Sequence, residues 1–111
     1  MPTYRVAEGG VLPCGQSLRA VLGGIPVCLV RTENDEFFAV SDLCSHEETS
    51  LSDGWVDGDQ IECPLHGAVF DLRSGDVVAL PATEPIATYS VTVDGDDALV
   101  SIAHEDVRNT E

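Results

Sequence analysis

Two short stretches near the middle of the chain each pair a cysteine with a histidine: Cys44-Ser45-His46 and Cys63-Pro64-Leu65-His66, with residues 47–62 between them. No other feature restricts the fold as strongly, because four side chains able to bind metal arrive as two arms that must meet in space. One thiolate and one imidazole per arm is unlike a disulfide framework, in which cysteines pair with each other. A Cys44–Cys63 disulfide is the competing reading. The N-terminus, Met1-Pro2-Thr3-Tyr4-Arg5, has no basic region followed by an apolar one. That makes the expected location the cytoplasm, where disulfides are rare.

The arms lie in a region, about 41–85, where apolar runs shorten and Gly, Asp and Pro cluster. A loop-rich stretch inside a compact chain needs something to hold it together. On either side, short runs rich in Val, Ile, Leu, Phe and Tyr alternate with turn residues, which predicts an all-β domain. Strands are expected at Tyr4–Ala7, Ser17–Leu22, Ile25–Arg31, Glu36–Val40, Trp55–Val56, Gln60–Glu62, Val69–Asp71, Ala87–Val93 and Ala98–Ala103. Hairpin turns are expected at Thr32–Asp35 and Asp94–Asp96. Tyr89, Val91 and Val93 alternate with Ser90 and Thr92, the period of a half-buried strand. At 111 residues the chain fits one domain, 1–111, with a core modest enough that a bound group closing its loops would add stability.

The order of the ligands narrows the metal chemistry. A two-Cys, two-His zinc finger puts its cysteines in one arm and its histidines in the other, on a helix. Neither feature is present here. A [2Fe–2S] centre with two Cys on one iron and two His on the other would take one ligand for each iron from each arm. A structural zinc module remains the alternative from the residues alone.

The segment from Cys44 to Phe70 resembles the cluster-binding region of Rieske proteins, and most of all the soluble Rieske ferredoxins. Ser50-Leu51-Ser52-Asp53-Gly54 follows the first arm and Gly67 the second. Then come Phe70-Asp71-Leu72-Arg73-Ser74-Gly75 and Leu80-Pro81-Ala82-Thr83-Glu84-Pro85, the last matching the loop that covers the cluster in that family. The resemblance implies a Rieske iron–sulfur fold, an antiparallel β sandwich with the cluster-binding subdomain inserted. It also implies one [2Fe–2S] cluster bound by Cys44, His46, Cys63 and His66.

In such a centre two ferric ions, two sulfides and two thiolates sum to zero charge, so an added electron is better tolerated than in a four-Cys cluster. High-potential members of the family have a further Cys in each ligand loop, and hydroxyls of Ser and Tyr near the cluster. The matching positions here are Thr49, Leu65, Ala68 and Phe70. Glu47 and Glu48 add negative charge beside His46. All of this places the expected potential near the low end of the Rieske range, roughly −150 mV.

Low potential suits passing single electrons from a flavin-dependent reductase to a terminal aromatic ring-hydroxylating dioxygenase. The resemblance also extends to ferredoxins of iron–sulfur assembly and to the small subunit of nitrite reductase. The chain is not expected to be an enzyme itself: His104 is the one histidine outside the arms, so no two-His, one-carboxylate iron triad can form, and there is no dinucleotide fingerprint. Twenty acidic residues against five basic ones, all Arg, give a net charge of −15, which argues against nucleic acid or anionic lipid as partners. No apolar run approaches the roughly 20 residues of a membrane span. Docking is expected at the cluster tip, with Leu65 as an apolar contact and Glu47, Glu48, Asp53 and Glu84 as a charged rim. A monomer suits a diffusing carrier. Cys28, in the apolar run Val27–Val30, reads as a buried hydrophobe. Cys14 sits in a turn, and His104 reads as a solvated side chain.

Overall fold

The computed structural model describes residues 3–43, 50–64, 67–79 and 85–102. Ten strands are present: β1 (Thr3–Val6), β2 (Gln16–Leu22), β3 (Ile25–Arg31), β4 (Phe37–Ser41), β5 (Trp55–Asp57), β6 (Gln60–Glu62), β7 (Val69–Asp71), β8 (Val77–Ala79), β9 (Thr88–Asp94) and β10 (Asp97–Ser101). They form a six-stranded sheet in the order β1-β10-β9-β4-β3-β2 and a four-stranded sheet in the order β5-β6-β7-β8. Every neighbouring pair is antiparallel. The helical elements among the described residues are two single 3-10 turns, Gly9–Val11 and Leu51–Asp53.

Strand β3 explains how the sheets stack. Its run Val27, Cys28, Leu29, Val30 is fully buried, so both faces of the strand are covered. Val27 and Leu29 face one core with Val6, Leu22, Ala39, Ala98, Val100 and Ile102. Cys28 and Val30 face the other, which holds Val40, Leu51, Ile61, Cys63, Ala68, Phe70, Leu72 and Ile86. The small sheet contributes Ile61 and Phe70 to that second core, with Val56 and Val77 packed alongside. It therefore lies against one face of β3 and β4.

The small sheet is tied down at both ends of β4. At the start, Arg73 donates to Glu36 (2.7 Å) and to Asp59 (3.0 Å), and its guanidinium carbon lies 5.1 Å from the centre of the Phe38 ring. At the end, Asp42 joins the turn Leu51–Asp53 to β2. Both expected hairpin turns are present. The first is closed by Thr32 N–H to Glu36 O (2.8 Å), and the second has Gly95 at φ 64° between the paired Asp94 and Asp97.

Strand β8 was not expected from sequence. It is three residues long, is distorted by a register shift opposite Val69 and Phe70, and exposes Val78, so no alternation marks it. The last strand ends at Ser101, before the expected Ala103, and Ile102 is buried without being part of a ladder.

Candidate metal centre

Cys63 is the one candidate ligand among the described residues; Cys44, His46 and His66 lie outside them. So do Thr49, Leu65, Glu47, Glu48, Glu84 and His104. Cys63 is fully buried, directly after β6, and its N–H donates to Ala68 O at 2.7 Å, closing the chain on both sides of residues 65–66. The first arm is closed in the same manner by an antiparallel bridge between Leu43 and Ser50 and by Leu51 N–H to Asp42 O at 2.7 Å. Beyond residues 80–84, Ile86 N–H donates to Gly75 O at 2.9 Å.

These three closures converge. Leu51 follows the first arm, Cys63 and Ala68 bracket the second, and Ile86 follows 80–84; all four sit in one core with Phe70. Gly54, just after the first arm, leaves no room for a side chain against the approach to the second. A Cβ there would overlap the carbonyl oxygen of Glu62 and come within 3.1 Å of Pro64 Cδ. The chain after the first arm thus lies close against Glu62, the residue that leads into the second.

Cys63 is buried in one core with the apolar side chains of Leu51, Ile61, Ala68, Phe70 and Ile86. A buried thiolate alone is costly in such a place, whereas one bound in a cluster of zero net charge is not. The donor chemistry therefore fits a [2Fe–2S] group with mixed Cys and His ligation. Among the described residues no group of three or more His, Cys, Asp or Glu could hold a metal ion.

Residues 3–90 match the model of the Rieske [2Fe-2S] domain. The chain belongs to the Rieske [2Fe–2S] family. It is 41% identical over 102 residues to the ferredoxin component of biphenyl 2,3-dioxygenase from Rhodococcus jostii (strain RHA1), covering 92% of this chain and 94% of that protein. Among solved structures, the ferredoxin of carbazole 1,9a-dioxygenase from Nocardioides aromaticivorans IC177 superposes with a TM-score of 0.82 at 38% identity, covering 91% of this chain and 98% of that one. The ferredoxin in a complex of reduced oxygenase and oxidized ferredoxin of carbazole 1,9a-dioxygenase superposes with a TM-score of 0.80 at 32% identity, covering 89% and 92%. The all-β Rieske fold and the single [2Fe–2S] cofactor expected from sequence hold.

Two of the positions that bear on the potential of this Rieske centre are described. Ala68 and Phe70 are both fully buried in the core that contains Cys63, and neither carries a hydroxyl. Replacing them together, Ala68→Ser with Phe70→Tyr, would add donors able to stabilise the reduced, more negative centre. The expected result is an upward shift of about 60 mV or more, a tenfold gain in electron affinity for a one-electron couple. Protein-film voltammetry checks it, and an unmoved potential would refute the argument from missing donors.

The remaining cysteines behave as their sequence context suggested. Cys28 is buried, and burial, followed by the nearby Asp42 carboxylate, pushes its thiol far up, against a smaller opposing effect of its hydrogen bond with Ser17. It therefore stays protonated and unreactive. Cys14 is exposed. The residue that sequence reasoning passed over is Asp42. Its only sequence signal is a lone acid between an apolar strand and a ligand arm.

Proposed function

We propose that this chain is a single-electron carrier between a flavin-dependent reductase and a terminal aromatic ring-hydroxylating oxygenase. In this reading Cys44 and Cys63 hold one iron and His46 and His66 the other. The observation that carries it is the match to free-standing ferredoxin components over 94% and 98% of their lengths. The bound cluster supplies a site that accepts and releases one electron. The protein supplies an apolar, closed base for it and a surface for docking. We place the whole chain, 1–111, in one functional unit, with 41–85 as the cluster-binding subdomain, working in the cytoplasm as a monomer. No helix of the described residues is long and apolar enough to cross a membrane.

The surface supports a cationic docking partner. Every described arginine is already committed to acids of the same chain: Arg5 to Asp94 and Asp97, Arg19 to Asp42, Arg31 to Asp35, and Arg73 to Glu36 and Asp59. The carboxylates left over set the sign of the field. Near the second arm, Trp55 is 58% exposed and lies directly across from Glu62, with Asp53 and Asp57 exposed on either side of it in sequence. An exposed indole bordered by carboxylates suits a face bearing Arg or Lys.

Reconstitution tests the proposal. With NADH, a flavin-dependent reductase and a biphenyl-type oxygenase, substrate hydroxylation is expected to depend on added carrier. Hydroxylation no faster with the protein than without it would overturn the reading. In the same assay the second-order rate of electron delivery is expected to fall as ionic strength rises from about 0.01 to 0.15 M, where screening shortens from roughly 30 to 8 Å. A flat salt profile would remove charge steering from the account.

A further inference from the structure

Asp42 is the one charged residue buried among those described, and it stands two positions before Cys44. Each of its polar atoms meets a different group. Oδ2 accepts from Arg19 Nε (2.9 Å), and Oδ1 accepts from Ser52 N–H (2.9 Å). Its own N–H donates to Pro26 O (3.1 Å), and its carbonyl accepts from Leu51 N–H (2.7 Å). The residue thereby gathers β2, the start of β3 and the turn Leu51–Asp53 around the base of the first arm. Ser17, two positions before Arg19 on β2, also reaches that turn, donating its hydroxyl to Ser52 O at 3.0 Å.

Hydrogen bonding alone does not require a charge at this place, since an asparagine would also accept from Ser52. A carboxylate makes stronger, shorter bonds, but burying it is costly unless a cation is fixed beside it. Arg19 is that cation. Its side chain stays 49% exposed while Asp42 is fully buried, so the charge is balanced from the protein surface. We propose that Asp42 and Arg19 form a positioning pair for the cluster. They fix both ends of the first ligand arm on the large sheet, and their opposite charges keep the base of that arm neutral toward the redox centre. The inference rests on Cys44 and His46 being ligands.

The pair makes two variants that break the same tie opposite in charge. Asp42→Asn removes a negative charge beside the arm, so the potential is expected to rise. Arg19→Met leaves the carboxylate uncompensated, so the potential is expected to fall. In both, the visible spectrum is expected to bleach about tenfold faster or more under an iron chelator, the scale of one lost charge-assisted hydrogen bond. Arg19→Lys keeps the charge and should hold the potential near wild type. Ser17→Ala loosens the same turn without a charge change and should leave the potential in place.

The measurement is voltammetry on full-length, cluster-loaded protein. Potentials that move in the same direction in Asp42→Asn and Arg19→Met, or do not move, would overturn the proposal. If Asp42→Asn takes up no cluster, the comparison of Arg19→Met with Arg19→Lys decides, and equal potentials overturn it. A wild-type protein lacking the electron paramagnetic resonance signal of a Rieske centre would sink the ligand assignment instead. A normal wild-type signal with unmoved variant potentials sinks this inference alone.

Discussion

Gly54→Ala is expected to cost the protein about 1–3 kcal/mol and most of its cluster, because the added methyl has nowhere to go. The position does not need glycine for its dihedral angles: φ is −94° and ψ −152°, extended backbone. What it needs is the absence of a side chain. A Cβ would overlap Glu62 O, and Glu62 cannot yield, being paired with Trp55 on one side and Val69 on the other. The relief available is to push β5 from β6, which moves the ends of the two arms apart. Iron and sulfide content should drop together with thermal stability. Gly24→Ala is the control. A Cβ there meets nothing within 4 Å, and φ is +83°, so it carries a conformational cost of roughly 1–2 kcal/mol with no collision. Full cluster content in Gly54→Ala would show that the two arms do not depend on this contact.

How much of this was legible in the sequence depends on the range of the interaction. The paired arms and the turns at Thr32–Asp35 and Asp94–Asp96 are local patterns, and the turns are where they were expected. The run Val27–Val30 read as apolar strand, and its burial on both faces follows from the second sheet covering β3. By contrast, β8 is too short to show a period. The pairing of β1 with β10 joins residues nearly a chain length apart, such as Thr3 with Ser101, and no local pattern encodes it.

The Asp42–Arg19 contact failed to show for the same reason. Neither residue is unusual in its own neighbourhood, and the burial that makes Asp42 significant arises only when β2, β3 and the turn after the first arm are brought together. Gly54 was visible as part of Ser50–Gly54, but its reason lies in β6, across the small sheet. In both cases the sequence marks the ligand arms, while the residues that seat the arms are marked only by the fold.

His66→Ala should have the largest effect of all, because under the proposed ligation it removes a ligand, not a support. Outer-shell changes at metal sites cost about 10–100-fold in affinity. Loss of a direct ligand should exceed that, leaving little iron or sulfide in the purified protein. The structural consequence is expected to concentrate where the arms are closed. Cys63 is buried in the core that those loop ends share, so losing the cluster removes what this side chain is placed to hold. The hydrogen bond from Cys63 to Ala68 and the packing of Leu51 and Ile86 would then lose the link that binds three loop ends together. The strands of the large sheet away from that core, β1, β9 and β10, pack mainly in the other core and should keep their protection in hydrogen exchange. A native visible spectrum in His66→Ala would refute the ligand assignment. His66→Cys extends the argument: a thiolate in place of a neutral imidazole adds one negative charge, so any cluster that forms should be harder to reduce than wild type.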